Sequence, residues 1–169
     1  MMEKGAARAK TKPRTTAPTA LEDKAALGSA LDFMRLLWAV DHGLQRRSKR
    51  MESELGVTGM QRIVIRLVGR FPDSTAGRLS ELLHVHPSTL TGVLKRLSDR
   101  GYIVRHRDAT DGRKSRFALM PKGQEIDATQ AGTVEAATRR ALGRISPEMV
   151  DAARVVLNAV AEELARSDR

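Results

Sequence analysis

Apolar residues recur along this chain mainly at helical spacing, with one short interval where they alternate instead. Across residues 21–56, Leu27, Leu31, Met34 and Trp38 fall four, three and four apart, with Leu37 beside them and Leu44 and Met51 continuing more loosely. This pattern predicts one long helix with a stripe for helix–helix packing. Gly56 ends it. Thr58 and Gln61 then have the spacing of a capping box, in which a hydroxyl takes an orphan N–H and an amide three residues on reaches back. The helix they open carries Ile63, Ile65, Leu67 and Val68, closes near Arg70 and meets a break at Phe71-Pro72-Asp73.

Ser74 or Thr75 can cap the next short helix, whose inner residues are Leu79, Leu82 and Leu83. Val85 and His86 make a turn. Pro87 suits the first position of the following helix, where its missing N–H costs nothing, although imidazole at His86 is a poor cap. Counting from Leu90, residues Val93, Leu94 and Leu97 fall at i+3, i+4 and i+7, a narrow apolar stripe. The opposite face carries Ser88, Thr91, Gly92, Lys95 and Arg96, which are short, polar or cationic. The helix runs to about Arg100, and Gly101 terminates it. The period then changes from helical to alternating. Tyr102–Arg107 reads as a strand, and Arg113–Leu119 as its partner with Ser115, Phe117 and Leu119 in alternation. Asp111-Gly112 between them is a hairpin signal. Ser74 to Met120 thus reads as a helix-turn-helix followed by a basic two-stranded wing. Its second helix is slim enough on the outside to enter a DNA major groove, about 12 Å wide.

Beyond the wing, Pro121 opens another helix, with Ile126, Val134, Ala137, Ala141 and Leu142 as its apolar set. Ser146-Pro147-Glu148 supplies a cap, a first-position proline and an early acid for the last helix. Met149, Ala153, Val156, Leu157, Val160 and Leu164 give that helix a strong stripe. The first helix and these last two carry more apolar surface than a small winged domain needs. A subunit interface accounts for the excess; a somewhat larger monomeric core is the plainer alternative.

Charge sharpens this picture. The chain has 169 residues, a length suited to one domain with a real core. Thirty basic side chains against twenty acidic ones leave a net +10. From His84 to Arg116 there are eight basic and three acidic side chains, so half of the net charge sits on the second helix and wing. A polyanionic partner follows, nucleic acid before an acidic membrane surface. Aromatics make up only 3%, too few for the stacking platforms of single-strand binders. There is no cysteine, which excludes disulfides and thiolate metal sites and suits a reducing cytoplasm. No apolar run approaches the roughly 20 residues of a membrane span. Residues 1–20 hold Lys4, Arg8, Lys10, Lys12 and Arg14 against Glu3, with no apolar segment of a secretory signal. They read as a disordered basic arm, either a solvated tail or a source of extra phosphate contacts. Arg46, Arg47, Lys49 and Arg50 read as a solvated face near a helix C-terminus.

Several short motifs, in order, carry a family resemblance. They are Val57-Thr58-x-x-Gln61, Leu79-Ser80-Glu81-Leu82, Val85-x-Pro87-Ser88-Thr89-Leu90-Thr91 and Leu97-x-x-Arg100-Gly101-Tyr102-Ile103. The wing follows as Arg107-Asp108-x-x-Asp111-Gly112-Arg113, then Leu119-x-Pro121-x-Gly123. From about Leu31 to Ile126 the chain resembles a MarR-type transcriptional regulator. The resemblance implies a mainly α fold with a small β-wing. In it a winged helix-turn-helix domain, residues 57–120, is flanked by dimerisation helices at 21–56 and 121–169. It implies an obligate homodimer on a pseudo-palindromic operator, usually a repressor, released by a small-molecule effector such as an aromatic acid or phenol. It places DNA contacts on Ser88, Thr89, Thr91, Lys95 and Arg96, with Arg113 and its neighbour Lys114 in the wing and Asp111 orienting the arginine. It places ligand contacts on the first helix, at Trp38 and His42. His86, Met120 and Gly92 depart from the family pattern: the first two lack a capping hydroxyl, and the third thins the base-contacting face.

Reactive chemistry is not evident. No nucleophile–base order, phosphate loop or paired-carboxylate motif stands out, so the chain is not read as an enzyme and no cofactor is expected. His84-x-His86 offers two imidazoles, fewer ligands than zinc needs, so no metal is expected either. Two other readings remain beside the regulator: a non-specific architectural DNA binder, and a helical interaction module whose basic wing meets an acidic protein.

Overall fold

A computed structural model describes residues 20–108, 111 and 114–166, with side chains from residue 28 onward. The expected basic arm at 1–20 lies, apart from Ala20, outside these residues, as do Gly112 and Arg113. By internal contacts the chain divides into two units, 1–41 and 42–169, with the boundary inside the first helix.

Helix α1 is Ala20–Leu55. The single uninterrupted helix expected over 21–56 is corrected at Gly28, whose φ of 72° and ψ of 163° are non-helical. Only glycine adopts such a φ without steric cost. Within the first unit Arg35 pairs with Asp32 at 2.7 Å, while Leu31, Met34 and Trp38 are exposed.

The second unit holds the core. Helix α2 (Gly59–Arg70) starts on the predicted capping box: Gln61 N–H donates to Thr58 Oγ1 at 3.2 Å, and Thr58 N–H donates to Gln61 Oε1 at 3.0 Å. Val64, Ile65 and Val68 face inward; Ile63 is exposed. Strand β1 (Ser74–Thr75), helix α3 (Ala76–Leu83), helix α4 (Pro87–Asp99), strands β2 (Ile103–Arg107) and β3 (Ser115–Leu119), and helix α5 (Pro121–Ala128) complete the body. The stripe of α4, Leu90, Val93, Leu94 and Leu97, is buried with Val57, Leu79, Tyr102, Ile103 and Phe117 in one cluster.

The wing has three strands rather than the expected two, antiparallel in the order β1-β3-β2. Ser74 pairs with Phe117 and Thr75 with Arg116. Thr75 also caps α3, accepting from Arg78 N–H at 3.2 Å. This pairing ties the wing to the front of the helix-turn-helix. At its other end, α4 closes in a Schellman arrangement: Gly101 has a φ of 72°, Tyr102 N–H donates to Leu97 O at 2.9 Å and Gly101 N–H to Ser98 O at 3.0 Å. Helix α5 then crosses the backbone so closely that a Cβ at Gly123 would lie 2.1 Å from Tyr102 O.

The long helix expected from Pro121 to about Leu142 is two. After α5 the chain turns through Gly132, at a φ of 74°, and Thr133 caps helix α6 (Val134–Leu142) by accepting from Ala136 N–H at 3.1 Å. Helix α7 (Pro147–Arg166) follows the predicted Ser146 cap. Neither α6 nor α7 has a buried residue. No described helix is long and apolar enough to cross a membrane.

Arginines of α2 hold the start of this C-terminal region. Arg62, only 3% exposed, donates to Glu135 Oε1 at 2.9 Å and to the carbonyls of Asp127 (3.3 Å) and Thr129 (2.7 Å). Arg66 donates to the Asp127 carboxylate at 2.7 Å and its carbonyl at 3.0 Å. They satisfy carbonyls at the end of α5 that have no partner within the helix and fasten α6 through its first acid.

Candidate nucleic-acid interface

The outward face of α4 is open. Ser88, Thr89, Thr91, Lys95 and Arg96 are all exposed, while the stripe behind them is buried. The start of this helix is sounder than its sequence suggests. The His86 ring accepts from Ser88 N–H at 3.3 Å through Nδ1, and the same nitrogen lies 2.7 Å from Ser88 Oγ. An imidazole thus does the work of the missing hydroxyl, which commits His86 and part of Ser88 to the cap. Thr91 Oγ1 donates to Pro87 O at 2.8 Å, and Lys95 pairs with Asp99 at 2.7 Å. The Arg96 side chain forms no hydrogen bond or ion pair among the described residues; its guanidinium lies near Gly92.

The wing is organised by a carboxylate that sequence reasoning passed over. Asp108, 6% exposed, accepts from Asp111 N–H at 3.1 Å and from Arg116 Nε at 2.6 Å. Arg116 also donates to Asp73 O at 2.8 Å. Asp73 has a φ of 60°, a left-handed conformation that a short polar side chain tolerates. It is held from three sides: its N–H bonds Phe117 O at 3.1 Å, its carbonyl takes Arg116, and its carboxylate lies 2.9 Å from His106 Nε2. The hairpin end is therefore pinned to the turn before the helix-turn-helix. Asp111, expected to orient Arg113, forms a 3.3 Å ion pair with Lys114; Arg113 itself lies outside the described residues. The only hint of Asp108's role in the sequence was its place in the Arg107-Asp108 motif.

Between α4 and the wing lies a cleft of about 670 Å³. Leu94, Phe117 and Ala76 form its apolar side, and Lys95, Arg105 and Lys114 stand around it. Neither Trp38 nor His42 lines it. Trp38 is 65% exposed on α1, and His42 is exposed as well. His84 is the left-handed C-cap of α3, with a φ of 51°. The described residues contain no group of three or more His, Cys, Asp or Glu placed to hold a metal.

A helix, a turn, a second helix with a bare polar face and a basic hairpin closing a small sheet define a winged helix-turn-helix. Residues 55–114, which span that unit from the end of α1 to the wing, match the family model described as MarR family. Over those residues the chain is similar to this family. It is similar to the HTH-type transcriptional repressor Rv2887 of Mycobacterium tuberculosis, 27% identical over 111 residues that cover 66% of this chain and 80% of the relative. An HTH-type transcriptional repressor of Mycobacterium bovis matches to the same extent. Among solved structures, the transcriptional regulator SlyA superposes with a TM-score of 0.69 at 23% identity, over 78% of this chain and 96% of that one. The MepR–DNA complex of S. aureus gives 0.65 at 16% identity, over 78% and 97%. At these identities the structural likenesses bear on the fold.

Proposed function

We propose that the chain is a homodimeric, sequence-specific transcriptional repressor that sets one α4 in each of two successive major grooves of a pseudo-palindromic operator. Half-sites would stand about 10 base pairs apart. The observation that carries this reading is the division of α4 into a buried stripe and a fully exposed face of Ser88, Thr89, Thr91, Lys95 and Arg96. Short polar side chains on a helix held from behind suit base edges and phosphates in the groove. Arg113 and Lys114 of the wing would reach the neighbouring minor groove, whose potential is most negative where it is narrow. The repressor reading also draws on the mycobacterial relatives, which are named as repressors.

The dimer is supported by α6 and α7, which hold no fully buried residue within one chain although α7 carries Met149, Val156, Leu157 and Leu164. On this reading residues 57–120 read DNA, 21–56 and 121–169 join the two copies, and the arm at 1–20 adds phosphate contacts. A small aromatic or phenolic effector would weaken DNA binding by favouring another spacing of the two α4 helices. The cleft beside α4 offers apolar walls and cations to such a molecule, and Trp38 and His42 are a second candidate place for it.

Selection of duplexes from a random pool by the purified protein tests the reading. A two-fold symmetric consensus bound by two chains is expected. Equal affinity for random duplex at physiological salt would instead favour a non-specific architectural binder and overturn sequence-specific regulation. Unchanged DNA affinity after Lys95→Ala combined with Arg113→Ala would point to a protein partner for the wing.

A further inference from the structure

Gly92 sits in the interior of α4, where glycine is the weakest helix former after proline. Its backbone is not in the left-handed region, so no turn requires it. Space does not require it either. A Cβ built there would meet only the guanidinium of Arg96, at 3.8 Å from Nη1 and 3.9 Å from Nη2, which is ordinary contact with the far end of a flexible side chain. Gly123 is the opposite case, since its Cβ would strike the Tyr102 carbonyl. The fold therefore explains Gly123 and leaves Gly92 unexplained.

What the absent side chain does permit is visible on the surface of the helix. Side chains of a helix lean toward its N-terminus, so Arg96 covers the position one turn before it. Both terminal nitrogens of Arg96 lie beside the bare position 92, within 3.9 Å of where a Cβ would stand. Three other polar groups of this face have partners at hand: Lys95 pairs with Asp99, Thr91 bonds Pro87 O, and Ser88 bonds the His86 ring. Arg96 has none among the described residues, and its planar fork is suited to the two acceptors on a guanine edge.

We infer that Gly92 is a specificity-determining residue. Its missing side chain leaves the helix surface beside the Arg96 guanidinium bare, so that a base edge read by Arg96 can approach α4 at that point. The inference rests on the reading of α4 as the groove-entering helix.

The test compares the wild-type chain with Gly92→Ala, Arg96→Ala and the double variant. Each is measured on the duplex selected by wild type and on a scrambled duplex of the same composition. Gly92→Ala should melt about 2–4 °C higher, because alanine is the better helix former. It should nevertheless lose about ten-fold or more of the preference for the selected duplex, with affinity for the scrambled duplex unchanged because phosphate contacts persist. Arg96→Ala should lose preference to a similar degree, and adding Gly92→Ala to it should change little. Preference retained within about two-fold by Gly92→Ala, or lost again in full in the Arg96→Ala background, overturns the inference. So does a fall in melting temperature, which would assign Gly92 to the fold. If wild type itself does not distinguish the two duplexes, the sequence-specific reading fails and the inference with it. If wild type does and Gly92→Ala matches it, only the role of Gly92 fails.

Discussion

Helices α4 and α7 carry comparable apolar stripes and meet opposite fates. Leu90, Val93, Leu94 and Leu97 of α4 disappear into a core supplied by α2, α3 and the sheet. Met149, Val156, Leu157 and Leu164 of α7 remain open, Leu164 at 66% exposure. An amphipathic stripe therefore says that a helix will pack, without saying whether its own chain supplies the cover. In α4 the inner face is satisfied locally, which frees the outer face for recognition. In α7 the apolar face is what remains to be satisfied, and a second copy is the proposed cover.

The largest way to sharpen this contrast is paired truncation. Leu97→Ala should cost about 2–5 kcal/mol of unfolding free energy, as deletions in filled cores do. In dilute protein Leu164→Ala should cost under about 0.5 kcal/mol, the usual range for exposed sites. Urea titrations at low and high protein concentration read both, and the Leu164→Ala cost should grow with concentration if a second copy covers it. Equal costs for the two at low concentration would erase the distinction. The junction between the regions comes next. Arg62→Ala removes the buried partner of a part-buried ion pair and takes a donor from the Asp127 and Thr129 carbonyls, so a loss of about 1–3 kcal/mol is expected in the same assay. A cost near zero would mean that α6 is not fastened through this side chain.

Smaller effects should separate recognition from folding. Asp108→Asn removes the charge that holds Arg116 and is expected to weaken binding to the selected duplex by about ten-fold in a fluorescence titration. Unaltered affinity would show that wing placement does not depend on that charge. The smallest effect concerns Glu148 at the start of α7. Hydrogen bonds from the backbone and from Ser146 hold its carboxyl below the ordinary value of 4.5. A depressed folded value means that its contribution is fully present above the unfolded pKa and is lost as the pH falls through the folded one. Glu148→Gln should therefore lower stability slightly at neutral pH and leave it nearly unchanged at pH 3, so that the acid limb flattens, as thermal melts between pH 3 and 7 would register.

Local rules made much of this molecule legible before its structure. The Thr58–Gln61 box, Pro87, the α4 stripe, the glycine closing α4 and the β2–β3 hairpin all depend on residues within a few positions of one another. What escaped depends on distance or on a competing signal. Ser74 and Thr75 look like caps, and only β3, some forty residues away, makes them a strand. Asp108 has no meaning without Arg116 and the Asp111 N–H. Arg62 is a charged residue next to the capping box, and its burial follows from carbonyls at the far end of α5. The break before α6 had local markers in Gly132 and Thr133, but apolar positions on both sides continued the helical period across it. The outward residues of α4 were legible as a face; that Arg96 lies against Gly92 was not, because rotamers do not follow from spacing.

The central claim is that two α4 helices of paired chains recognise a particular duplex. Sedimentation of the full chain with the selected duplex, run beside competition by random duplex at physiological salt, tests it most directly. The account predicts two chains per duplex and a preference of at least about a thousand-fold. One chain per duplex, or random duplex competing equally, would contradict it.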